Sequence, residues 1–167
     1  MRRVLAFLLV AFAPAAGQAQ NITLDRVDIV EAGIYQIHRT GEVVQSPNTA
    51  VGTIRSADRR ELIEATTTVP AKVGTSFGIR FVAIGEPMGT KMNVTFITRY
   101  PAQGLRNPNT GKIAYKSEFE WGIETGKRVA RTYSFDNAWE AVPGEWALEF
   151  WHQGRKLGGQ TFTVVAR

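Results

Sequence analysis

Residues 142–151 have the sequence Val-Pro-Gly-Glu-Trp-Ala-Leu-Glu-Phe-Trp and predict a turn followed by a β-strand. Pro143 fixes its own φ and Gly144 tolerates a positive φ, a pairing that favours a tight corner. From Trp146 to Phe150, every second residue is large and apolar. Because successive side chains of a strand point to opposite faces, one face of this strand is apolar. We expect that face, beginning with Trp146, to lie in a hydrophobic core.

The same alternation of apolar and polar residues recurs along the chain, which is typical of antiparallel sheets with one buried face. No long window shows apolar residues at helical spacing. The alternation predicts a second set of inward-facing side chains. That set comprises Phe77, Ile79, Phe81 and Ala83; Met92, Val94, Phe96, Thr98 and Tyr100; Phe119, Trp121 and Ile123; Tyr133 and Phe135; and Phe162 and Val164.

Turn-forming residues separate these runs, as in Gly85-Glu86-Pro87 and in Gln153-Gly-Arg-Lys156, which has the length of a hairpin connection. Gly33, inside a strand-like stretch, predicts a bulge or a bend onto a second sheet. The stretch from Arg59 to Val69 is ambiguous. Its last four residues are strand-like, whereas Ala57–Ala65 could form a helical turn.

Eight or nine predicted strands at this length indicate one all-β domain over residues 20–167. We expect a single antiparallel β-sandwich of immunoglobulin-like or related topology. A closed barrel is the alternative. The chain shows no internal repeat, linker or low-complexity tract that would suggest a second domain.

Residues 1–19 have the pattern of a cleaved signal peptide. Arg2 and Arg3 precede an apolar run of about ten residues, which is too short to span a bilayer. Small residues at positions 17 and 19 predict cleavage before Gln20. We therefore expect a bacterial periplasmic or secreted protein that is not membrane-spanning after cleavage.

Composition excludes several kinds of chemistry. The 167 residues contain no cysteine, so the sequence excludes a disulfide scaffold, a thiol nucleophile and a thiolate zinc site. Loss of Arg2 and Arg3 lowers the formal net charge from +5 to +3. Such a mild charge does not define a polyanion-binding function, and export makes nucleic acid a poor partner.

Several motifs in the C-terminal two-thirds occur in a recognisable order. They are Met92-Asn-Val-Thr-Phe-Ile-Thr-Arg-Tyr-Pro101, Asn107-Pro-Asn-Thr-Gly111, Tyr133-Ser-Phe-Asp136, Val142-Pro-Gly-Glu-Trp146, and a closing hairpin with Leu157 and Gln160-Thr-Phe-Thr-Val164. Over about residues 24–165, the chain resembles an uncharacterised family of bacterial exported domains of unknown function. The resemblance implies a small β-sandwich in the bacterial envelope. It supplies no catalytic residues.

The residues offer little support for catalysis. His38 and His152 are the two histidines, and neither lies in a hydrolase or metal-binding motif. Glu118 and Glu120 share one face of a strand and could flank a glycosidase groove, but the solvated face of an amphipathic strand is the favoured explanation. Glu61 and Glu64 have the same explanation. We predict no catalytic residue, no metal site and no cofactor.

Other motifs remain as binding hypotheses. Neither Gly111-Lys112 nor Gly126-Lys127 has the remaining residues of a phosphate-binding loop. Trp139 and Trp151 could stack on sugar rings or pack beneath loops. Two basic clusters could attract an anionic envelope polymer or a lipid head group, but interspersed acids favour ordinary solvated surface. The two clusters are Arg55, Arg59 and Arg60, and Lys127, Arg128 and Arg131.

We therefore predict a non-enzymatic binding or accessory module of the cell envelope. Its partner would be an envelope protein or a glycan, which the sequence does not identify. The alternatives are a small carbohydrate-binding module and an envelope hydrolase that uses a histidine or one of the paired glutamates. A sandwich scaffold supports many functions, so the fold alone does not decide among them.

Overall fold

The computed structural model describes residues 21–38, 42–55 and 59–166, and it is a β-sandwich whose main strand pairs are antiparallel except for one short parallel pair at an edge. The predicted signal peptide lies outside the described residues. The smaller main sheet contains β1 (Arg26–His38), β4 (Arg59–Ala65), β6 (Ser76–Ile84) and β11 (Arg128–Ser134). The larger main sheet contains β5 (Thr68–Pro70), β7 (Lys91–Arg99), β10 (Lys116–Glu124), β12 (Gly144–His152) and β13 (Arg155–Val165).

The smaller sheet has the strand order β11-β6-β1-β4, and the larger has the order β10-β7-β12-β13-β5. Their nine strands agree with the predicted eight or nine. Two short antiparallel pairs complete the strands of the described chain: β2 (Val43–Gln45) with β3 (Thr53–Arg55), and β8 (Leu105–Arg106) with β9 (Ile113–Ala114). A 3-10 turn covers Ala138–Glu140. Within the described residues, no helix has the length and apolar character needed to cross a membrane.

The hydrophobic core lies between the two main sheets, and the predicted alternation places side chains in it. Phe77, Ile79, Phe81 and Ala83 are fully buried along β6. From β12, Trp146 contributes the largest fully buried side chain, and its ring packs against those of Phe77, Tyr100, Tyr133 and Phe135. The inward-facing residues inferred from period-two spacing therefore form the centre of the molecule.

Gly33 itself is paired with both neighbouring strands, and irregularities of the kind that its position predicts lie on either side of it in β1. The register of β1 against β4 shifts between Ile34 and Tyr35, and its register against β6 shifts between Ile29 and Glu31. A Cβ atom on residue 33 would lie 2.0 Å from the backbone oxygen of Glu64. Glycine is required here because β4 passes too close for any side chain.

The stretch Arg59–Ala65 is a strand, so the expectation of a helical turn is wrong for these residues. Residues 57 and 58 of that expectation lie outside the described chain. β4 forms an antiparallel ladder with β1, pairing Glu64 with Ile34 and Arg60 with Ile37. Backbone hydrogen bonds to a neighbouring strand outweigh the weak local preference of this sequence.

Two turns adopt the conformations that their residues favour. Gly144 has a φ of 133°, and a side chain at this position would contact Pro101. Gln153 and Gly154 both have positive φ, at 48° and 77°, and connect β12 to β13. Two consecutive residues with positive φ match the right-handed twist of a tight hairpin.

The β2–β3 hairpin is attached to the larger sheet by hydrogen bonds outside the main ladders. The backbone nitrogen of Glu118 in β10 donates to the carbonyl of Asn48 at 3.3 Å. The side-chain amide of Asn107, next to β8, donates to the carbonyl of Ala50 at 3.2 Å. These bonds hold the hairpin beside β10, where it covers part of the interior near the edge of the sandwich.

Candidate functional site

A cavity of about 380 Å³ lies where the β2–β3 hairpin meets β10, β7 and β11. We call it the β11 cavity. Polar groups from several strands line it, mostly hydroxyls. The hydroxyl-bearing lining residues are Thr49, Thr53, Thr98, Tyr100, Ser117, Thr132, Tyr133 and Ser134. The charged ones are Arg60, Arg131, Asp136 and Glu140. The volume falls within the range of about 300–1,000 Å³ that is usual for small-molecule sites.

The backbone register directs the side chain of Arg131 into the sandwich. In the pairing of β11 with β6, Arg131 lies opposite Ile79, and Tyr133 lies opposite Phe77. Ile79 and Phe77 are fully buried, and directly opposed residues of an antiparallel pair share a face. Arg131 therefore points toward the larger sheet and not toward solvent.

Aromatic rings of the larger sheet surround the guanidinium of Arg131. Its central carbon lies 4.5 Å from the ring centroid of Phe119, 5.4 Å from that of Phe96 and 5.6 Å from that of Trp121. Each distance is within the range of a cation–π contact, in which the negative face of the ring attracts the charge. We call Arg131 with these three rings the Arg131 cluster.

No acidic side chain of the described residues forms an ion pair with Arg131. Its Nε atom is buried and has no hydrogen-bond partner within that part of the chain. Burial lowers the pKa of Arg131 to about 10, and the like charge of Arg60 acts in the same direction. The group stays protonated at neutral pH, so the sandwich holds a cation whose desolvation is only partly offset by the rings.

Glu140 lies beside the same cavity but interacts with neutral groups. Its Oε1 accepts hydrogen bonds from the backbone nitrogen of Asn137 at 3.0 Å and from the Asn137 side-chain amide. The hydroxyl of Tyr133 donates to Oε2 at 3.2 Å. Burial raises the pKa of Glu140, while the hydrogen bonds from Asn137 and Tyr133 act to lower it.

A second buried carboxylate, Glu149, lies on the outer face of the larger sheet and is bound by three donors. Lys156 Nζ lies 2.7 Å from Oε1, while Arg99 Nε and Trp151 Nε1 lie 2.9 and 3.0 Å from Oε2. Burial alone would raise the pKa of Glu149, but hydrogen bonds from Lys156, Trp151 and Arg99 together lower it. This network is complete, so it stabilises the sheet and leaves no oxygen for a ligand.

The structure separates the two histidines. His38 is exposed at the end of β1, opposite Arg59, and His152 Nδ1 lies 2.9 Å from the carbonyl of Asn93. Neither forms an ion pair with a carboxylate in the described part of the chain. A search of the described residues finds no group of three or more His, Cys, Asp or Glu residues that could hold a metal ion.

The paired glutamates have ordinary partners on the surface. Glu118 pairs with Lys116 at 2.7 Å, and Glu120 accepts a hydrogen bond from the hydroxyl of Thr95 at 2.6 Å. On β4, Glu61 pairs with Arg59 at 3.3 Å, and Glu64 is exposed. These contacts agree with the interpretation of both glutamate pairs as part of a solvated strand face.

The two candidate sugar-stacking tryptophans lie in different elements. Trp139 belongs to the 3-10 turn and packs against the core, so it agrees with the interpretation of packing beneath a loop. Trp151 lies near the end of β12, where its ring nitrogen donates to Glu149. Of the remaining two, Trp121 packs partly buried against the core and Trp146 is fully buried, as predicted.

One basic residue was placed wrongly by the sequence analysis. Lys127 and Arg128 are exposed at the start of β11, whereas the half-buried Arg131 directs its guanidinium toward the rings of the larger sheet. The sequence did contain this information. Arg131 lies two and four residues before Tyr133 and Phe135, so the alternation that assigns both of them to the inner face assigns Arg131 to it as well. Arg60, from the other basic cluster, donates to the hydroxyl of Thr132 at 3.2 Å and lines the β11 cavity.

The chain belongs to the family described as Domain of unknown function (DUF3859), whose model matches residues 24–164. Among solved structures, an immunoglobulin-like protein from Pseudomonas aeruginosa is 26% identical with a TM-score of 0.58, over 90% of this chain and 100% of that protein. The fold is therefore immunoglobulin-like, as the strand pattern predicted.

A Pseudomonas fluorescens alkylpurine DNA glycosylase bound to DNA is 14% identical with a TM-score of 0.41, over 80% of this chain and 30% of that one. A likeness at that level does not bear on the function of this chain. No curated protein matches the sequence.

Proposed function

We propose that the chain is a non-enzymatic binding module of the bacterial cell envelope and that the β11 cavity holds its ligand. The signal-peptide pattern of residues 1–19 supports export to the periplasm or beyond. The observation that supports ligand binding is the cavity itself. An opening of about 380 Å³ lined by hydroxyls and charges lies beside a core of aromatic and aliphatic side chains.

The chemistry of the cavity supports binding more than catalysis. Tyr100 and Tyr133 line it, and burial raises the pKa of both phenols, so both stay neutral and serve as hydrogen-bonding groups. A general base must be free to accept a proton from a substrate, whereas both oxygens of Glu140, the buried carboxylate of the cavity, already accept hydrogen bonds from Asn137 and Tyr133. Neither described histidine lines this cavity.

Ser117 offers a way to test where the ligand binds. It is buried on the inner face of β10 and lines the cavity, so Ser117→Phe would place a ring in the opening. Thr161 is exposed on β13 and provides a matched control as Thr161→Phe. The assay is ¹⁵N–¹H NMR of the purified protein against amino acids, monosaccharides and small organic acids, with thermal unfolding to check that each variant folds.

We expect at least one class of compound to shift resonances of β7, β10 and β11 in the wild type and in Thr161→Phe, and not in folded Ser117→Phe. Binding that persists in Ser117→Phe, or that shifts only residues remote from the cavity, would overturn the proposal for this site. The proposed export and signal-peptide cleavage are tested by fractionating cells that express the full chain and by sequencing the N-terminus of the product. A cytoplasmic product with an intact N-terminus would contradict export.

A further inference from the structure

Within the described residues, Arg131 differs from Glu149 and Arg80 in lacking a counterion. Glu149 has two cations and an indole N–H around it. Arg80, on the neighbouring strand of the same sheet, lies 2.9 Å from Glu31, and both side chains are less than one-third exposed. Within the described residues, Arg131 has only the three aromatic rings and a buried Nε without a partner.

The acids of the β11 cavity do not neutralise Arg131. The oxygens of Glu140 accept hydrogen bonds from Asn137 and Tyr133. Asp136 forms no ion pair with Arg131 in the described structure, and the charged neighbour that shifts the pKa of Arg131 is the cation Arg60. Desolvation of a guanidinium in such surroundings is unfavourable, and an anion that entered the cavity would offset that cost.

The surroundings also select the kind of anion. Contacts of the guanidinium with three rings leave its N–H edge as the part that can form hydrogen bonds, and that edge matches the two oxygens of a carboxylate. Ser117, Thr98 and Tyr100 bring hydroxyl groups to the same cavity. The presence of Asp136 and Glu140 in the lining disfavours a dianion such as phosphate, because like charges repel.

The cavity has apolar walls for the remainder of such a ligand. Ile37, Val51 and Phe119 line it together with the polar groups. A small-molecule site usually combines apolar walls with a few polar groups that fix orientation. A monocarboxylate with a compact apolar body fits both parts of the lining.

We infer that the ligand of the β11 cavity is a small organic carboxylate and that Arg131 is the residue that recognises its charge. This inference rests on the proposed function, since it names the ligand class of the same cavity. A bound carboxylate would offset the unfavourable desolvation of the charged Arg131 side chain. An arginine that acted only as a packing group against the rings would not require an anion.

Benzoate, benzamide and inorganic phosphate are suitable probes, because the first two share a shape and differ in charge. The variants are Arg131→Met, Arg131→Lys and the matched control Arg80→Met. Isothermal titration calorimetry measures affinity, and thermal unfolding measures the stability of each protein without ligand. Arg131→Lys keeps the charge but loses the fork of donors, so it remains informative if Arg131→Met does not fold.

We expect benzoate to bind the wild type more tightly than benzamide or phosphate does. Arg131→Met and Arg131→Lys should each weaken benzoate binding by about tenfold or more, because a charge-assisted pair of hydrogen bonds is lost. Without ligand, Arg131→Met should unfold at a temperature equal to or above that of the wild type. Arg80→Met should unfold at a lower temperature and keep the affinity for benzoate.

Equal binding of benzoate and benzamide, or unchanged benzoate affinity in the Arg131 variants, would overturn the inference. Tighter binding of phosphate would show that the anion class is wrong. If neutral compounds bind the wild type but not Ser117→Phe, this inference fails and the proposed function stands. If no compound binds in the cavity and Arg131→Met lowers the unfolding temperature as Arg80→Met does, both fail and Arg131 is a packing residue.

Discussion

Two groups of aromatic rings lie in the same interior: one packs around the indole of Trp146, and the other packs around the guanidinium of Arg131. Around Trp146, the rings of Phe77, Phe135 and Tyr133 contact one another, and the indole N–H donates to the carbonyl of Val142 at 3.0 Å. In the Arg131 cluster, similar rings surround a cation. The first group is complete because both of its polar atoms, the indole N–H of Trp146 and the hydroxyl of Tyr133, have partners within the chain. The second leaves a buried N–H group unbonded beside a cavity.

The comparison teaches that a position on the inner face of a sheet does not by itself define a role. A buried group with every polar atom bonded stabilises the fold, whereas a buried group with an unsatisfied donor costs free energy in the absence of a ligand. Four measurements, from the largest expected effect to the smallest, test whether the two regions differ in this way.

Trp146→Ala tests the closed region. We expect the free energy of unfolding to fall by about 3–5 kcal/mol, because the largest fully buried side chain is removed and a cavity remains. Urea or guanidinium unfolding measures the change. Trp151→Ala, on a partly exposed residue, serves as the control and should cost less than half as much. A loss below about 1 kcal/mol for Trp146→Ala would contradict the central position of this ring.

Glu149→Ala tests a charge that the chain itself neutralises. We expect a loss of about 1–2 kcal/mol, because the N–H of Trp151 loses its acceptor while Arg99 and Lys156 can turn to solvent. Equilibrium unfolding measures this loss, with Glu120→Ala as an exposed control that should change stability by less than about 0.5 kcal/mol. Equal losses of stability in the two variants would show that the hydrogen-bond network of Glu149 does not stabilise the fold. The contrast with Arg131, which has no such network, would then fail.

Phe119→Leu tests whether the rings hold the guanidinium. We expect a loss of about 1 kcal/mol, because leucine retains much of the apolar contact but lacks the ring face that attracts the cation. The same substitution in an Arg131→Met background should cost less. A double-mutant cycle by chemical unfolding gives the coupling free energy between Phe119 and Arg131. A coupling of zero would show that the ring does not stabilise the guanidinium despite its short distance from it.

The pH dependence of stability should have opposite signs for the two buried glutamates. The pKa of Glu149 is lowered from 4.5, so its contribution is present above that pH and is lost as pH falls through the lower value. The pKa of Glu140 is raised from 4.5, so its contribution is greatest below that pH and is lost as pH rises through the higher value.

Unfolding at a series of pH values compares Glu149→Gln and Glu140→Gln with the wild type. The first should flatten the profile below pH 4.5, and the second should flatten it above pH 4.5. The same slope change in both variants would show that the two environments are electrostatically alike.

The sequence predicted the fold well because one property, period-two alternation, determines which side chains enter the core. It placed Phe81 and Phe162 inside, and it predicted an irregularity of β1 near Gly33, since no other residue is accepted at so close an approach of two backbones. It did not resolve Arg59–Ala65, because that strand is held by its ladder with β1 and has little apolar alternation of its own.

The candidate site was harder to predict, because its parts come from distant positions in the chain. Charge suggested that Arg131 belongs with Lys127 and Arg128 at the surface, whereas parity along β11 places it inside. The alternation of side chains along the strand predicted the position of Arg131 better than its charge did. The partners of Glu149 were not predictable, since Arg99 and Lys156 reach it only through the pairing of three strands.

The close contact at Gly33 has a consequence for the far end of its strand pair. Because residue 33 has no side chain, β4 can approach β1 there, and the same strand brings Arg60 to the wall of the cavity four residues from Glu64. One added methyl group at residue 33 would push β4 outward and carry that arginine with it. A position without any functional group of its own thus helps to set where Arg60 stands in the cavity wall.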